Sequence, residues 1–139
     1  MGKQILNGVE YGSGNHSFGL TKIAKYEFSP TLVSGQSNLI KTISANTLQV
    51  GWYLIGIRET YTRDTNRSWF YMQGTANKFV FPDTDTNEYI DVRYDANGWT
   101  DFIRSIIVHV IDPTTEINFY LWGNGYSPDK VRITVNKFD

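Results

Sequence analysis

The chain has 139 residues, a length that suits one domain with a short terminal extension. Its 13 basic and 14 acidic side chains give a net charge of −1, which argues against a nucleic-acid-binding protein, because such a protein needs a basic field. The lack of cysteine excludes a disulfide scaffold, a thiolate nucleophile and a cysteine zinc site. No apolar run approaches the ~20 residues of a membrane span, so we expect no membrane partner.

The side-chain composition favours strands. The chain contains 9 Tyr, 8 Phe and 4 Trp together with 12 Gly. Aromatic residues are enriched in strands, and glycines mark turns. The composition therefore predicts an all-β protein before any pattern is considered.

Residues 1–19 differ from the rest of the chain in being rich in glycine and weakly periodic. The segment from Lys3 to Tyr11 predicts a small hairpin around Asn7 and Gly8, a favoured type I′ turn pair. A lone two-stranded hairpin is only marginally stable in water. Two interpretations stay open, a frayed terminus or an arm that docks on another subunit. The anchoring residues of such an arm would be Ile5, Leu6, Val9 and Tyr11.

Residues 20–139 predict a series of short strands separated by turn signals. Polar or glycine-rich turns are predicted at 34–37, 62–67, 95–98 and 123–125, and Gly56 predicts a bulge or the close approach of another backbone. The predicted strands are 20–28, 38–43, 52–61, 68–73, 79–81, 88–94, 101–111, 117–122 and 130–138, with 48–50 either a short strand or a turn.

The segment 101–111 fits two patterns. Its apolar residues would also line one face of a helix, but six of its eleven residues are Ile or Val, which favours a strand. We therefore predict a strand that is buried on both faces.

The regular spacing of these strands predicts the fold class. Many short strands and no convincing helix indicate an antiparallel two-sheet β-sandwich of jelly-roll type. We expect an extended N-terminal arm in residues 1–19 and the β-sandwich domain in residues 20–139.

Catalytic residues are not identifiable in the sequence. His16 lies in the glycine-rich arm and His109 in an apolar strand, and nothing in the sequence brings a nucleophile or carboxylate within hydrogen-bond reach of either residue. Paired carboxylates can hydrolyse glycosides, but the candidates have no distinguishing context. We therefore expect no enzymatic activity and no cofactor. The candidate carboxylates are Glu59, Asp64, Asp91, Asp95 and Asp101.

The loop 82–88 contains an acidic motif that begins like an EF-hand. Asp83, Asp85 and Asn87 form a D-x-D-x-N pattern, but Glu88 stands where the glycine of the sharp turn belongs. A different type of calcium site and a solvated acidic loop both remain open, and we assign no metal site.

Two aromatic turns are the most suggestive functional feature. They place Trp and Tyr beside Asn and Gly, a combination that binds sugars by stacking and by hydrogen bonds to hydroxyl groups. The same combination occurs where a ring caps a core or where subunits meet. The candidate glycan or interface residues are Tyr94, Asn97, Trp99, Trp122, Asn124 and Tyr126.

The opening segment from Lys3 to Gly14, KQILNGVEYGSG, resembles the start of small virion proteins of tailed bacteriophages, in which a short arm leads into a β-sandwich. The strand pattern of the body is similar to that of jelly-roll head domains on phage fibres, receptor-binding proteins and capsid decorations. The resemblance implies a homotrimer in the virion, attached to other virion proteins through the arm, with or without contact to host surface glycans. It carries over no catalytic or ligand residue.

We therefore expect a non-enzymatic structural protein of a bacteriophage virion, a fibre or decoration subunit attached to the capsid or tail. The alternative is a free carbohydrate-binding module or lectin. A small glycan-active enzyme is the third hypothesis.

Overall fold

The structure is a computed structural model that describes residues 4–6, 9–11, 19–82, 89–123 and 125–139. In 4–6, 9–11, 62–68 and 89–100 the description concerns the backbone alone. Within these ranges the chain is all-β, as predicted. The same ranges contain no helix long and apolar enough to cross a membrane.

Nine strands form the described structure. They are β1 (Gln4–Leu6), β2 (Val9–Tyr11), β3 (Leu20–Phe28), β4 (Ser37–Ile43), β5 (Gly51–Gly74), β6 (Phe79–Val80), β7 (Tyr89–Val110), β8 (Ile117–Trp122) and β9 (Lys130–Phe138).

Two antiparallel sheets pack together as a β-sandwich, which confirms the predicted fold class. The first sheet has the strand order β3-β9-β5-β7-β6 and uses the early part of β5 and the late part of β7. In the second sheet β4 pairs with β8, and β8 pairs with residues 70–74 of β5. The early part of β7 lies along the other edge of this part of β5.

Strands β5 and β7 are each longer than the sequence predicts. The predicted turns at 62–67 and 95–98 are wrong, because the backbone continues as strand through both segments. The two strands pair along almost their whole length, and the register shifts twice, between Thr60 and Thr65 and between Thr65 and Arg67. Both segments are rich in polar residues, Asn or Gly, which are typical of turns. In this structure they lie instead where the pairing of the long hairpin is irregular.

The long hairpin folds back over itself. A straight strand of this length would extend about 80 Å. Yet Gly51, at the start of β5, pairs with Val110, and Val110 pairs with Phe79, only five residues after the end of β5. The hairpin therefore bends near the register shifts, and its two halves contribute to the two sheets.

Strict alternation along the strands builds the core between the sheets. The guanidinium of Arg104 on the first sheet lies 5.3 Å from the ring centre of Phe70 on the second sheet, which shows that these inner faces meet. The fully buried inward residues include Tyr53, Ile55, Ile57, Phe70, Met72, Val108, Val110, Ile117, Phe119, Leu121, Val131, Ile133 and Val135.

The strand predicted at 101–111 is present, but the prediction that both its faces are buried is wrong. Phe102, Ile106 and Val108 point into the core. Ile103 is 62% exposed and Ile111 is 44% exposed on the other face. No other sheet of this chain covers that face among the described residues, so its apolar side chains remain at the surface.

Three further sequence predictions concern the N-terminal hairpin, residues 48–50 and Gly56. Strands β1 and β2 pair with each other as the predicted hairpin. Residues 48–50 form no strand. Gly56 carries no register shift, and a β-carbon there would lie 2.7 Å from the side-chain hydroxyl oxygen of Thr134, with no backbone atom of another described strand within 4 Å. Both predicted alternatives, a bulge and the close approach of another backbone, are therefore wrong, because a side chain occupies the space beside this glycine.

Candidate functional site: an aromatic strip on the second sheet

Four aromatic side chains lie together on the outer face of the second sheet. In β5 the inward residues Phe70 and Met72 alternate with Trp69 and Tyr71, and in β8 the inward residues alternate with Tyr120 and Trp122 in the same way. Because β5 and β8 are neighbours, these four half-buried rings form one continuous surface. We call Trp69, Tyr71, Tyr120 and Trp122 the aromatic strip.

The rings of the strip contact one another in two pairs. Trp69 and Trp122 have ring centres 5.4 Å apart and planes inclined by 40°. Tyr71 and Tyr120, which are directly opposite across the strands, have centres 5.3 Å apart and an edge-to-face arrangement. Such contacts hold aromatic side chains in fixed orientations. The strip is therefore arranged before any ligand arrives.

A shallow depression of about 190 Å³ opens on this surface. The described residues that line it are Ser37, Trp69, Tyr71 and Trp122. They offer aromatic faces and hydroxyl groups but no carboxylate or imidazole. This chemistry suits the stacking of a flat apolar ring face and the hydrogen bonding of its polar edge.

Two amides continue the strip along the same strands. Gln73 and Asn118 are opposite each other and form the next pair on the same face, two positions beyond the tyrosines. The hydroxyl of Thr42 donates to Oδ1 of Asn118 over 2.7 Å, which orients that amide. Within the described part of the chain, the amide nitrogen of Asn118 makes no hydrogen bond. The outer face of the second sheet thus joins aromatic rings to an amide donor.

The sequence predicts only part of this site. Trp122 belongs to the aromatic strip. Tyr126 lies exposed in the loop after β8 and does not line the depression. The side chains of Tyr94, Asn97 and Trp99, and all of Asn124, lie outside the described residues, although the first three belong by backbone to β7 and not to a turn.

Trp69, Tyr71 and Tyr120 were not predicted as site residues. The sequence does carry a signal for them, since both segments alternate aromatic residues with aliphatic or aromatic core residues. The sequence does not show that β5 pairs with β8, because the two strands are separated by more than 40 residues in the chain. Without that pairing, two outward-facing aromatic rows cannot be assigned to one surface.

Other candidate residues occupy different places. The backbones of Ile5, Leu6, Val9 and Tyr11 form the β1–β2 hairpin, and their side chains lie outside the described part of the chain. His16 and the acidic loop with Asp83 and Asp85 also fall outside the described residues. His109 stacks on Trp52 with ring centres 4.4 Å apart.

Of the candidate carboxylates, the side chains of Asp64, Asp91 and Asp95 lie outside the described residues, and the two that are described form ion pairs. The half-buried Asp101 accepts two hydrogen bonds from Arg58. Glu59 is fully buried and is bound by Arg104 and by the hydroxyl of Tyr61. Burial and the nearby carboxylate of Glu59 raise the pKa of Tyr61. In the described ranges, no group of three or more His, Asp or Glu residues is arranged to hold a metal ion.

Comparison with known proteins adds no family assignment, because no protein-family model, curated protein or solved structure matches the chain.

Proposed function

We propose that this chain is a non-enzymatic binding protein that holds carbohydrate rings against the aromatic strip. The observation that carries the proposal is the placement of four mutually contacting rings and two amides on one exposed sheet face. The aromatic faces bind the apolar face of a pyranose, and the amides and hydroxyls bind its hydroxyl groups. The strip together with the two amides extends about 14 Å from Trp69 to Gln73 along β5, which accommodates a chain of sugars better than a single one.

A glycan array followed by calorimetry on the best ligand tests this proposal. We expect Trp69→Ala and Trp122→Ala each to weaken binding at least tenfold, because each removes a stacking face. Trp52→Ala is the matched control for the loss of an exposed tryptophan on the other sheet. Because Trp52 also lines the surface proposed below for self-association, the comparison uses the affinity per subunit from calorimetry, which we expect to equal that of the wild type. Equal affinity in the wild type and both strip variants would overturn the proposal.

We further propose that the protein works as a fibre or decoration subunit of a tailed-bacteriophage virion. The support is the resemblance of residues 3–14 to phage virion arms, together with the order of a short hairpin followed by a β-sandwich. In this proposal the subunit is a homotrimer, and the arm binds other virion proteins. The alternative proposal, a free carbohydrate-binding module, uses the same aromatic strip without the assembly.

The outer face of the first sheet supports self-association. Trp52, Pro82, Ile107 and Phe138, with Asp139, line an open and largely apolar depression of about 390 Å³. The backbone N–H of Asp139 donates to the carbonyl of Gly19, so the arm joins the sandwich at the rim of this depression. The occupant that we propose for this surface is a neighbouring copy, whose arm carries the apolar residues Ile5, Leu6, Val9 and Tyr11.

Light scattering after size exclusion distinguishes these alternatives. We expect three times the monomer mass for the full chain and a monomer after deletion of residues 1–17, with the sandwich still folded. A full-length monomer that also fails to join phage particles would overturn the virion proposal. If that monomer binds glycans, the free module becomes the preferred function.

A further inference from the structure

A compact group of cationic side chains lies on the outer face of the first sheet, near the bend of the long hairpin. Arg58 on β5 is directly opposite Arg132 on β9, and Thr60 is opposite Lys130. These four residues line a cleft of about 210 Å³. A second depression of the same volume adjoins the arginines and is lined in part by Ser105 and Thr134. The arginine pair thus stands in the middle of a shallow groove.

Placing two arginines directly opposite each other is unfavourable, since like charges in a cross-strand pair repel. The fold offsets this repulsion with two carboxylates at the sides. Asp101 binds Nε and Nη2 of Arg58 at 3.1 and 2.7 Å, and Glu27 binds Nε of Arg132 at 2.8 Å. Lys25 also pairs with Glu27, and together these cations lower the pKa of that carboxyl group.

The two carboxylates do not neutralise all the positive charge of the cleft. Glu27 uses only Nε of Arg132, and the two Nη nitrogens of that guanidinium bind no other described residue. Lys130 forms no ion pair anywhere in the described ranges, although Asp129 is its neighbour in sequence. The paired carboxylates also fix the directions of both guanidinium groups.

From this geometry we propose that Arg58, Thr60, Lys130 and Arg132 form a binding site for an oxyanion. The ligand group is a carboxylate, sulfate or phosphate, which accepts hydrogen bonds from the Nη nitrogens of Arg132 and is neutralised by Lys130 and Arg58. Thr60 lines the site, and its hydroxyl donates to the backbone carbonyl of Lys130 over 3.4 Å. The groove on either side, with its hydroxyl groups, takes the remainder of an acidic saccharide or a phosphorylated or sulfated polymer. This site lies on the sheet opposite the aromatic strip and does not depend on the function proposed for the strip.

Titration followed by ¹H–¹⁵N NMR tests the proposal. Sodium sulfate, sodium phosphate and sodium glucuronate are added separately to the full chain at constant ionic strength, with sodium chloride as the reference. We expect saturable shifts of the amide signals of Thr60, Lys130 and Arg132. Tighter binding of glucuronate would identify an acidic sugar as the source of the oxyanion, and tighter binding of sulfate or phosphate would identify a sulfated or phosphorylated ligand.

Lys130→Gln provides the specific test, because Lys130 has no ion pair in the described ranges whose loss would disturb the fold. We expect it to weaken anion binding at least fivefold. Lys22→Gln is the matched control: it makes the same charge change on β3 of the same sheet, opposite Asn136 and about 20 Å along the sheet from Lys130. Non-saturating shifts equal to those of chloride, or equal losses in both variants, would overturn the proposal.

Discussion

Arg104 and Glu59 form an ion pair inside the sandwich, with 2.7 Å between Nη2 of the arginine and Oε2 of the glutamate. Their side chains are 3% and 0% exposed, so both charged groups are shielded from solvent. The hydroxyl of Tyr61 donates to the other carboxylate oxygen of Glu59 over 3.0 Å, and the Arg104 guanidinium rests over the ring of Phe70. This network lies where the first sheet approaches the bend, and it joins β5, β7 and the inner face of the second sheet.

Removing one charge of this pair is expected to destabilise the protein strongly. Glu59→Gln keeps the shape of the side chain but removes the negative charge that lies 2.7 Å from Nη2 of the buried Arg104, at a cost of about 3–5 kcal/mol. Urea unfolding of the variant and the wild type measures this change. Asp101→Asn is the control, because its partner Arg58 is exposed and we expect a far smaller loss. Equal losses in the two variants would contradict the role of burial.

The same network predicts a loss of stability at alkaline pH. The pKa of Tyr61 is raised in the folded state above its unfolded value near 10, chiefly by burial. The unfolded chain therefore releases this proton first, and the stability that is fully present below pH 10 decreases above it by up to about 1.4 kcal/mol per pH unit.

Urea unfolding at pH 8, 10 and 11 tests this prediction in the wild type and in Tyr61→Phe. The variant is expected to be less stable at pH 8, because it loses the hydrogen bond to Glu59, but to decline less between pH 10 and pH 11. Parallel declines in the two proteins would show that Tyr61 does not titrate differently on unfolding.

The turn after β8 depends on a glycine that has no room for a side chain. A β-carbon on Gly123 would lie 2.0 Å from the carbonyl oxygen of Val33. Gly123 also exchanges backbone hydrogen bonds with Gly35 and Gln36, so this contact ties the turn to the start of β4. We expect Gly123→Ala to destabilise the protein by more than about 3 kcal/mol.

Gly125→Ala provides the comparison for that variant. Gly125 has a positive φ of 97°, but no atom of the described residues, apart from Gly125 and its chain neighbours, lies within 4 Å of the position that a β-carbon would occupy. We therefore expect only backbone strain of about 1–2 kcal/mol. Thermal unfolding ranks the two variants, and a more stable Gly123→Ala protein would contradict the close packing of Gly123 against Val33.

Adjacent residues of β5 are expected to respond differently to truncation. Phe70 is fully buried and packs against Phe119, so Phe70→Ala should cost about 3–5 kcal/mol. Trp69 faces outward and is half-buried, so Trp69→Ala should cost less and leave the fold intact. Circular dichroism and urea unfolding check both. Unfolding of Trp69→Ala would show that the strip is a structural element of the sandwich.

Strand existence is largely predictable from the sequence, whereas strand length is not. The alternation in 52–61, 68–73 and 130–138 appears directly in the burial of β5 and β9. The polar segment 62–67 predicts a hairpin loop, because local turn propensity does not reveal that both flanks continue to pair with β7. In this segment, pairing between distant residues, with bulges at the bend, outweighs the local preference for a turn.

The all-β class, the inward faces of the strands and the absence of cysteine chemistry follow from the amino-acid sequence alone, because side-chain alternation and composition are local properties. Three features appear only in the folded chain: one hairpin contributes to both sheets, Glu59 contacts Arg104 in the interior, and the four residues of the aromatic strip share one surface. Each of these depends on contacts between residues distant in the chain, and alternation states which way a side chain points without stating which strand lies beside it.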